Sequence, residues 1–143
     1  VKLFDVNILV NAHREDAPHH APCRRVIEES LRAPASFGLS PIVLSGFIRV
    51  VTHRRIFEVP TPIADAVEFC ERLKAYPQAV VVEPGRRHWE IFRALCIDAR
   101  AEGNLVPDAY LAALAIESGC EFVSTDRDFA RFPALSWSDP LTA

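Results

Sequence analysis

The sequence predicts an α/β domain of three layers, with a central, mostly parallel sheet flanked by helices. Three observations lead there. Short runs rich in β-branched or aromatic residues alternate with longer helical patterns along the whole chain, the arrangement that builds parallel sheets. Half of the 143 residues are hydrophobic, enough for a packed core at a length where folding buries roughly 68–70% of the unfolded surface. No internal repeat, low-complexity tract or linker interrupts the pattern, so residues 1–143 are expected to form a single domain.

"VKLFD" at the N-terminus reads as a short strand, and "VNILVNA" after it as one or two helical turns. In "PHHAPCRRVIEESLRA", Cys23, Val26, Ile27 and Leu31 recur at helical spacing. "SFGLS" is a brief strand, followed by a helix over "PIVLSGFIRVVTH" with Pro41 suited to its first turn. In "TPIADAVEFCERLKAYP", Thr61 is a candidate cap before Pro62, and Ile63, Val67, Cys70 and Leu73 form the expected buried stripe. "AVVVEPG" has the continuous apolar character of a buried parallel strand. "RRHWEIFRALCIDARAEG" predicts an amphipathic helix stopped by Gly103, and "PDAYLAALAIESG" another closed by Gly119. "EFVS" is a strand, "DRDFARF" a helical turn and "LSW" a final edge strand.

Composition narrows the function. A net charge of −3 argues against a globally basic nucleic-acid coat, while leaving room for a local basic stripe such as "RVVTHRR" at 49–55. Four scattered cysteines, without a C-x-x-C pair or a histidine at zinc spacing, read as buried reduced thiols. With no apolar run near the ~20 residues of a membrane span, the expectation is a soluble protein of the cytoplasm with no membrane partner.

The acids carry the chemistry. Asp5 ends the first predicted strand, and Asp126 closely follows the fourth. Asp108 opens the helix that feeds that fourth strand, so it starts at the edge where the strand will end. In a parallel α/β sheet this is the edge that holds ligands. Each acid also has a local explanation: Asp108 complements a helix dipole, and Asp5, Asp126 and Asp128 can cap turns. Together they pose a problem, because two carboxylates about 4 Å apart repel by ~4 kcal/mol at an effective dielectric near 20. The only lysines are Lys2 and Lys74, and Arg127 is the sole arginine beside these acids in sequence. Protonation or a cation must resolve the repulsion. Oxygen ligands without Cys or His point to Mg²⁺, with Mn²⁺ as the substitute. Such a site suits phosphodiester hydrolysis. Asn7 and Thr125 are candidates to orient a carboxylate or a metal-bound water, local turn hydrogen bonds being the alternative. No histidine has a Ser or Cys partner in a nucleophile setting, so none is assigned a catalytic role.

Asp5-Val-Asn7, then "PDAYLAALA", then "STDRDF", resemble in order and spacing the PIN-domain ribonucleases, and more closely the VapC toxins of bacterial toxin–antitoxin pairs. The likeness runs from "LFDVNILVNA" to "FARFPALSW", and "SGFIRVVTH", "EPGRRHWE" and "GNLVPDAYLAALA" look like signatures of one VapC-type subgroup. The resemblance implies a PIN-like domain and a magnesium-dependent endoribonuclease that cuts structured RNA such as tRNA or rRNA, leaving a 5′-phosphate and a 3′-hydroxyl. It also implies a homodimer and inhibition by a cognate antitoxin protein. By this likeness the family's conserved acids fall on Asp5, Asp108 and Asp126, the expected metal ligands and catalytic residues, with Asp128 a further acidic position beside them. One departure stands out: Gly46 occupies the place where many PIN domains carry a glutamate, with Asp128 the candidate to compensate. A catalytically weakened PIN-like module that binds RNA or a partner protein is the alternative reading. Phosphatases that work through an aspartyl intermediate fit less well, because position 7 is Asn and no lysine is well placed.

Overall fold

The computed structural model describes residues 1–142. The strands are β1 (Lys2–Phe4), β2 (Phe37–Leu39), β3 (Ala79–Val81), β4 (Glu121–Val123) and β5 (Trp137–Ser138). The helices are α1 (Val6–His13), α2 (His20–Arg32), α3 (Pro41–Val51), α4 (Ile63–Lys74), α5 (His88–Asp98) and α6 (Leu105–Ser118), with 3₁₀ turns at Arg127–Arg131 and Pro140–Thr142. The sheet has the order β3-β2-β1-β4-β5, and every pairing is parallel. This is the predicted three-layer α/β architecture.

Side-chain alternation along the strands feeds two cores. Phe4, Phe37, Leu39 and Val123 face a layer built from α1, α2, α3 and α4. Leu3 and Phe122 face the opposite layer of α5 and α6, closed by Phe129 and Phe132. Gly38 leaves room that a side chain would crowd, because a Cβ there would meet Val82 Cγ2 at 2.9 Å and Leu3 Cδ1 at 3.3 Å. Helix α6 lies against the sheet with Ala109, Ala112, Ala113, Leu114 and Ala115 fully buried; small residues let its backbone approach closely. It ends in a Schellman turn: Gly119 takes φ +68° and Cys120 N–H donates to Ala115 O at 2.9 Å, which directs the chain into β4.

Several local expectations are corrected. Strand β3 lies at the sheet edge, with Val80 and Val81 exposed; its apolar composition does not report the missing neighbour. Helix α4 buries Ala66, Cys70 and Leu73, while Ile63 and Val67 face solvent, so the true stripe is rotated from the predicted one. Thr61 does not cap α4, whose N-cap is Pro62; its hydroxyl instead accepts from Arg14 Nη1 at 3.2 Å. Helix α5 stops before Gly103, where Arg100 adopts φ +51°. Cys23, Cys70 and Cys120 are buried free thiols as expected, and Cys96 is partly exposed. Among the described residues no helix is long and apolar enough to cross a membrane.

The fold places its functional edge where the strand order reverses. Strands β1 and β4 are neighbours in register, Phe4 opposite Val123, and the crevice outside the carboxyl ends at such a switch point is where open α/β sheets hold ligands.

Candidate metal centre

Asp5 is the residue that turns β1 into α1. Its backbone N–H donates to Val123 O at 3.0 Å, and its Oδ1 accepts from Val6 N–H at 2.7 Å, capping α1. Its other carboxylate oxygen accepts from the Ser124 hydroxyl at 2.7 Å and from Asn7 Nδ2 at 3.2 Å. The side chain is buried, at 7% exposure. Burial is the main reason its carboxyl titrates above the ordinary range; the hydrogen bonds from Ser124 and Val6 oppose that, and the charge of Asp126 adds to it.

Ser124 is the hub. Besides donating to Asp5, its Oγ accepts from Asn7 Nδ2 at 3.1 Å and from Asp126 N–H at 3.0 Å. It is fully buried. Asn7 completes the stitch between β1 and β4 by accepting from Thr125 N–H at 3.2 Å. Thr125 therefore meets Asn7 through its backbone, while the hydroxyl that touches Asp5 belongs to Ser124, which sequence reasoning passed over. The available signal was strand alternation. Phe4 pairs with Val123, and the next residues, Asp5 and Ser124, turn inward together.

Asp126 caps the 3₁₀ turn, its Oδ1 accepting from Asp128 N–H at 2.9 Å. That tight turn swings Asp128 back toward the first turn of α6. Carboxylate oxygens of Asp108, Asp126 and Asp128 lie within 4.8 Å of one another. Asp5 stands outside this trio as the buried neighbour that feels the charge of Asp126 and whose own charge bears on Asp108. Asp108, half-buried, has its carboxyl pushed up to about 6, first by desolvation and then by the charges of Asp126, Asp5 and Asp128. The structure thus gathers Asp108, Asp126 and Asp128 at one point, and ties Asp5 to them through Ser124.

Position 46 offers no acid and little space for one. A Cβ on Gly46 would meet Val6 Cγ2 at 2.8 Å, where α1 and α3 cross closely, beside Asp5. Asp128, carried by the 3₁₀ turn, joins Asp108 and Asp126 instead.

A hard divalent cation fits this donor set. The donors are oxygens without sulfur or imidazole, and they are close enough to repel one another. Among the described residues the ion pairs are Arg14–Asp16, Arg24–Glu28 and Arg72–Glu68, so no arginine or lysine neutralises the cluster. Four of the five histidine rings bond elsewhere: His13 to Thr61, His20 to Asn11 O, His53 to Arg55 N–H and His88 to Tyr110 O.

A family model described as PIN domain matches residues 2–135. This chain belongs to the PIN-domain family. The PIN domain is 47% identical over 137 residues to Ribonuclease VapC43 of Mycobacterium tuberculosis, covering 96% of this chain and 93% of the relative. It is 46% identical over 133 residues to Ribonuclease VapC25 of the same species, covering 93% and 94%. It is therefore a PIN domain of the VapC type. Among solved structures, VapBC2 from Rickettsia felis bound to a promoter DNA fragment superposes with a TM-score of 0.71 at 15% identity, over 96% of this chain and 97% of that one. VapC20 of Mycobacterium tuberculosis, described as a Sarcin-Ricin loop cleaving toxin, gives 0.64 at 16% identity over 91% and 93%. At those identities the likeness is one of fold.

Proposed function

We propose that this VapC-type PIN domain is a Mg²⁺-dependent endoribonuclease, the toxin of a toxin–antitoxin pair, acting on structured RNA in the cytoplasm. The observation that carries the reading is the trio of carboxylates from α6 and the 3₁₀ turn, drawn within 4.8 Å with no ion pair to balance them among the described residues. Relatives named ribonucleases, at 46% and 47% identity over nearly their whole length, support the same chemistry.

Asp108, Asp126 and Asp128 are the residues suited to hold the ion directly, and Asp5 to complete the site from below, directly or through water. When bound, Mg²⁺ lowers the pKa of a coordinated water and offsets negative charge on the phosphodiester in the transition state. The chain's own residues set the stage. Ser124 and Asn7 hold one oxygen of the Asp5 carboxylate and the Val6 N–H holds the other, so that it is kept in one orientation before substrate arrives. Asp126 is anchored through its own N–H to the same Ser124. The half-buried Asp108 gives up its proton near neutral pH, so that it can serve as an ionised ligand there.

Replacing Asp108 or Asp126 by Asn tests the reading. Cleavage of total RNA in the presence of Mg²⁺ is expected to fall by two orders of magnitude or more; unchanged cleavage by a folded variant removes it. Calorimetric titration with Mg²⁺ and Mn²⁺ separates it from a binding module that has lost catalysis, which needs no metal response. Toxin–antitoxin structures among the fold neighbours favour an antitoxin protein as partner, and a homodimer and a tRNA or rRNA substrate belong to the same proposal.

A further inference from the structure

A cavity of about 450 Å³ opens next to the acids, between α1 and α3 on one side and α5 and α6 on the other. Val6 and Pro107, the chain neighbours of Asp5 and Asp108, form two of its walls. Gly46 forms part of the wall where a side chain would intrude. Two aromatic rings, Phe92 and Tyr110, stand in it with centroids 5.8 Å apart in an edge-to-face arrangement. Among the described residues, Arg49 is the charged one that lines it. Beyond Phe92, exposed Trp89 continues the aromatic path at 5.7 Å between centroids, with Arg93 one turn further along the same helix and Arg86 and Arg87 just ahead of it. None of these four arginines has an acidic partner among the described residues.

An apolar, aromatic-walled space beside a phosphodiester-cutting site has a natural occupant. Aromatic rings bind unpaired bases by stacking, and free guanidinium groups bind the phosphates that follow. The acid cluster repels those phosphates, so a substrate strand needs cations immediately outside it. Arg49 and the Trp89–Arg93 helix face supply them. We propose that this cavity is the nucleobase subsite for an unpaired nucleotide flanking the cleaved bond, with Phe92 and Tyr110 contacting the base and Arg49 its phosphate. The Trp89 face carries the strand onward. This subsite rests on the nuclease reading above and deepens it by naming an unpaired, base-selective segment as what the site grips.

The test uses the full chain, Mg²⁺ and random-sequence RNA oligonucleotides, with the cut ends sequenced. The parent is expected to show a base preference at one position beside the cut. Ile42→Trp and Val106→Trp put bulk into the cavity from exposed lining positions, so both variants can be checked for a native fold by circular dichroism before use. They are expected to lose that preference, and kcat/KM is expected to fall roughly 10- to 100-fold, the scale of one lost base stack. Arg49→Ala is expected to raise KM while leaving the preference in place. A parent that cuts with preference, and filled variants that cut identically, overturn the subsite alone. Filled variants that cut normally but change their self-association in light scattering assign the cavity to a protein surface and overturn it as well. A parent that cuts no RNA overturns the nuclease reading together with the subsite.

Discussion

Removing a charge from the acid cluster should make the metal-free protein more stable. In the absence of metal the folded state must hold Asp108 against desolvation and the charges of Asp126, Asp5 and Asp128, and its carboxyl titrates at about 6 in place of the ordinary 3.8. At about 1.4 kcal/mol per pH unit, that gap sets a ceiling of about 3 kcal/mol on the resulting destabilisation. Asp108 is only half-buried, and solvent screening reduces the figure to about 1–2 kcal/mol. Asp108→Asn, uncharged at any pH, is therefore expected to melt roughly 3–6 °C above the parent in EDTA at about pH 7.5. The sign follows from linkage: the folded carboxyl binds its proton more tightly than the unfolded one. The parent thus loses stability as pH rises from about 4 through 6, and the advantage of the variant grows over the same window and vanishes near pH 4. Millimolar Mg²⁺ should reverse the order by stabilising the parent and not the variant. Thermal melts of both proteins, with EDTA or Mg²⁺ at several pH values, measure all of this. A variant that is less stable than the parent in EDTA, or whose advantage does not depend on pH, refutes the claim that these acids repel one another.

Other expectations follow from the same geometry. Ser124→Ala leaves Asp5 Oδ2, Asn7 Nδ2 and Asp126 N–H short of a partner; urea titration is expected to show a loss of about 2–3 kcal/mol, and calorimetry a weaker Mg²⁺ affinity. Gly46→Glu is expected to lower stability by about 1–3 kcal/mol through its clash with Val6, and not to raise cleavage above the parent in a total-RNA assay. Phe122→Ala, at a fully buried site in the middle of β4, should cost about 3–5 kcal/mol in a denaturant melt.

The layers and the edge that carries the acids were readable from the chain because they follow from rules that need no distances. Strands alternating with helices dictate a parallel sheet, and a helix feeding a parallel strand must begin at the edge where that strand ends. Asp5, Asp108 and Asp126 could be placed at one edge on that ground. Asp128 could not be moved from the periphery into the trio, because its approach depends on a 3₁₀ turn that a short motif such as "TDRDF" does not distinguish from an α-helical one. Ser124 and Thr125 are both hydroxyl residues, and only the register of β1 against β4 settles which of them faces Asp5. The rotated stripe of α4 and the exposed valines of β3 share a cause: hydrophobicity reports a tendency to be covered, while sheet order and helix packing decide what does the covering. Nothing in the sequence of "VLSGFIR" announces that α1 crosses α3 closely enough to exclude a side chain at Gly46.

The hydrogen bond that ties the Asp5 carboxylate to the end of β4 comes from Ser124, 119 residues later in the chain. During synthesis, a ribosome-bound chain that has reached only the end of α6 owns Asp5 and Asp108, yet lacks Ser124, Asp126 and Asp128 altogether. Half-finished copies and C-terminally clipped fragments therefore cannot assemble the carboxylate trio. The acid cluster exists only once β4 and the 3₁₀ turn after it have been translated and have docked.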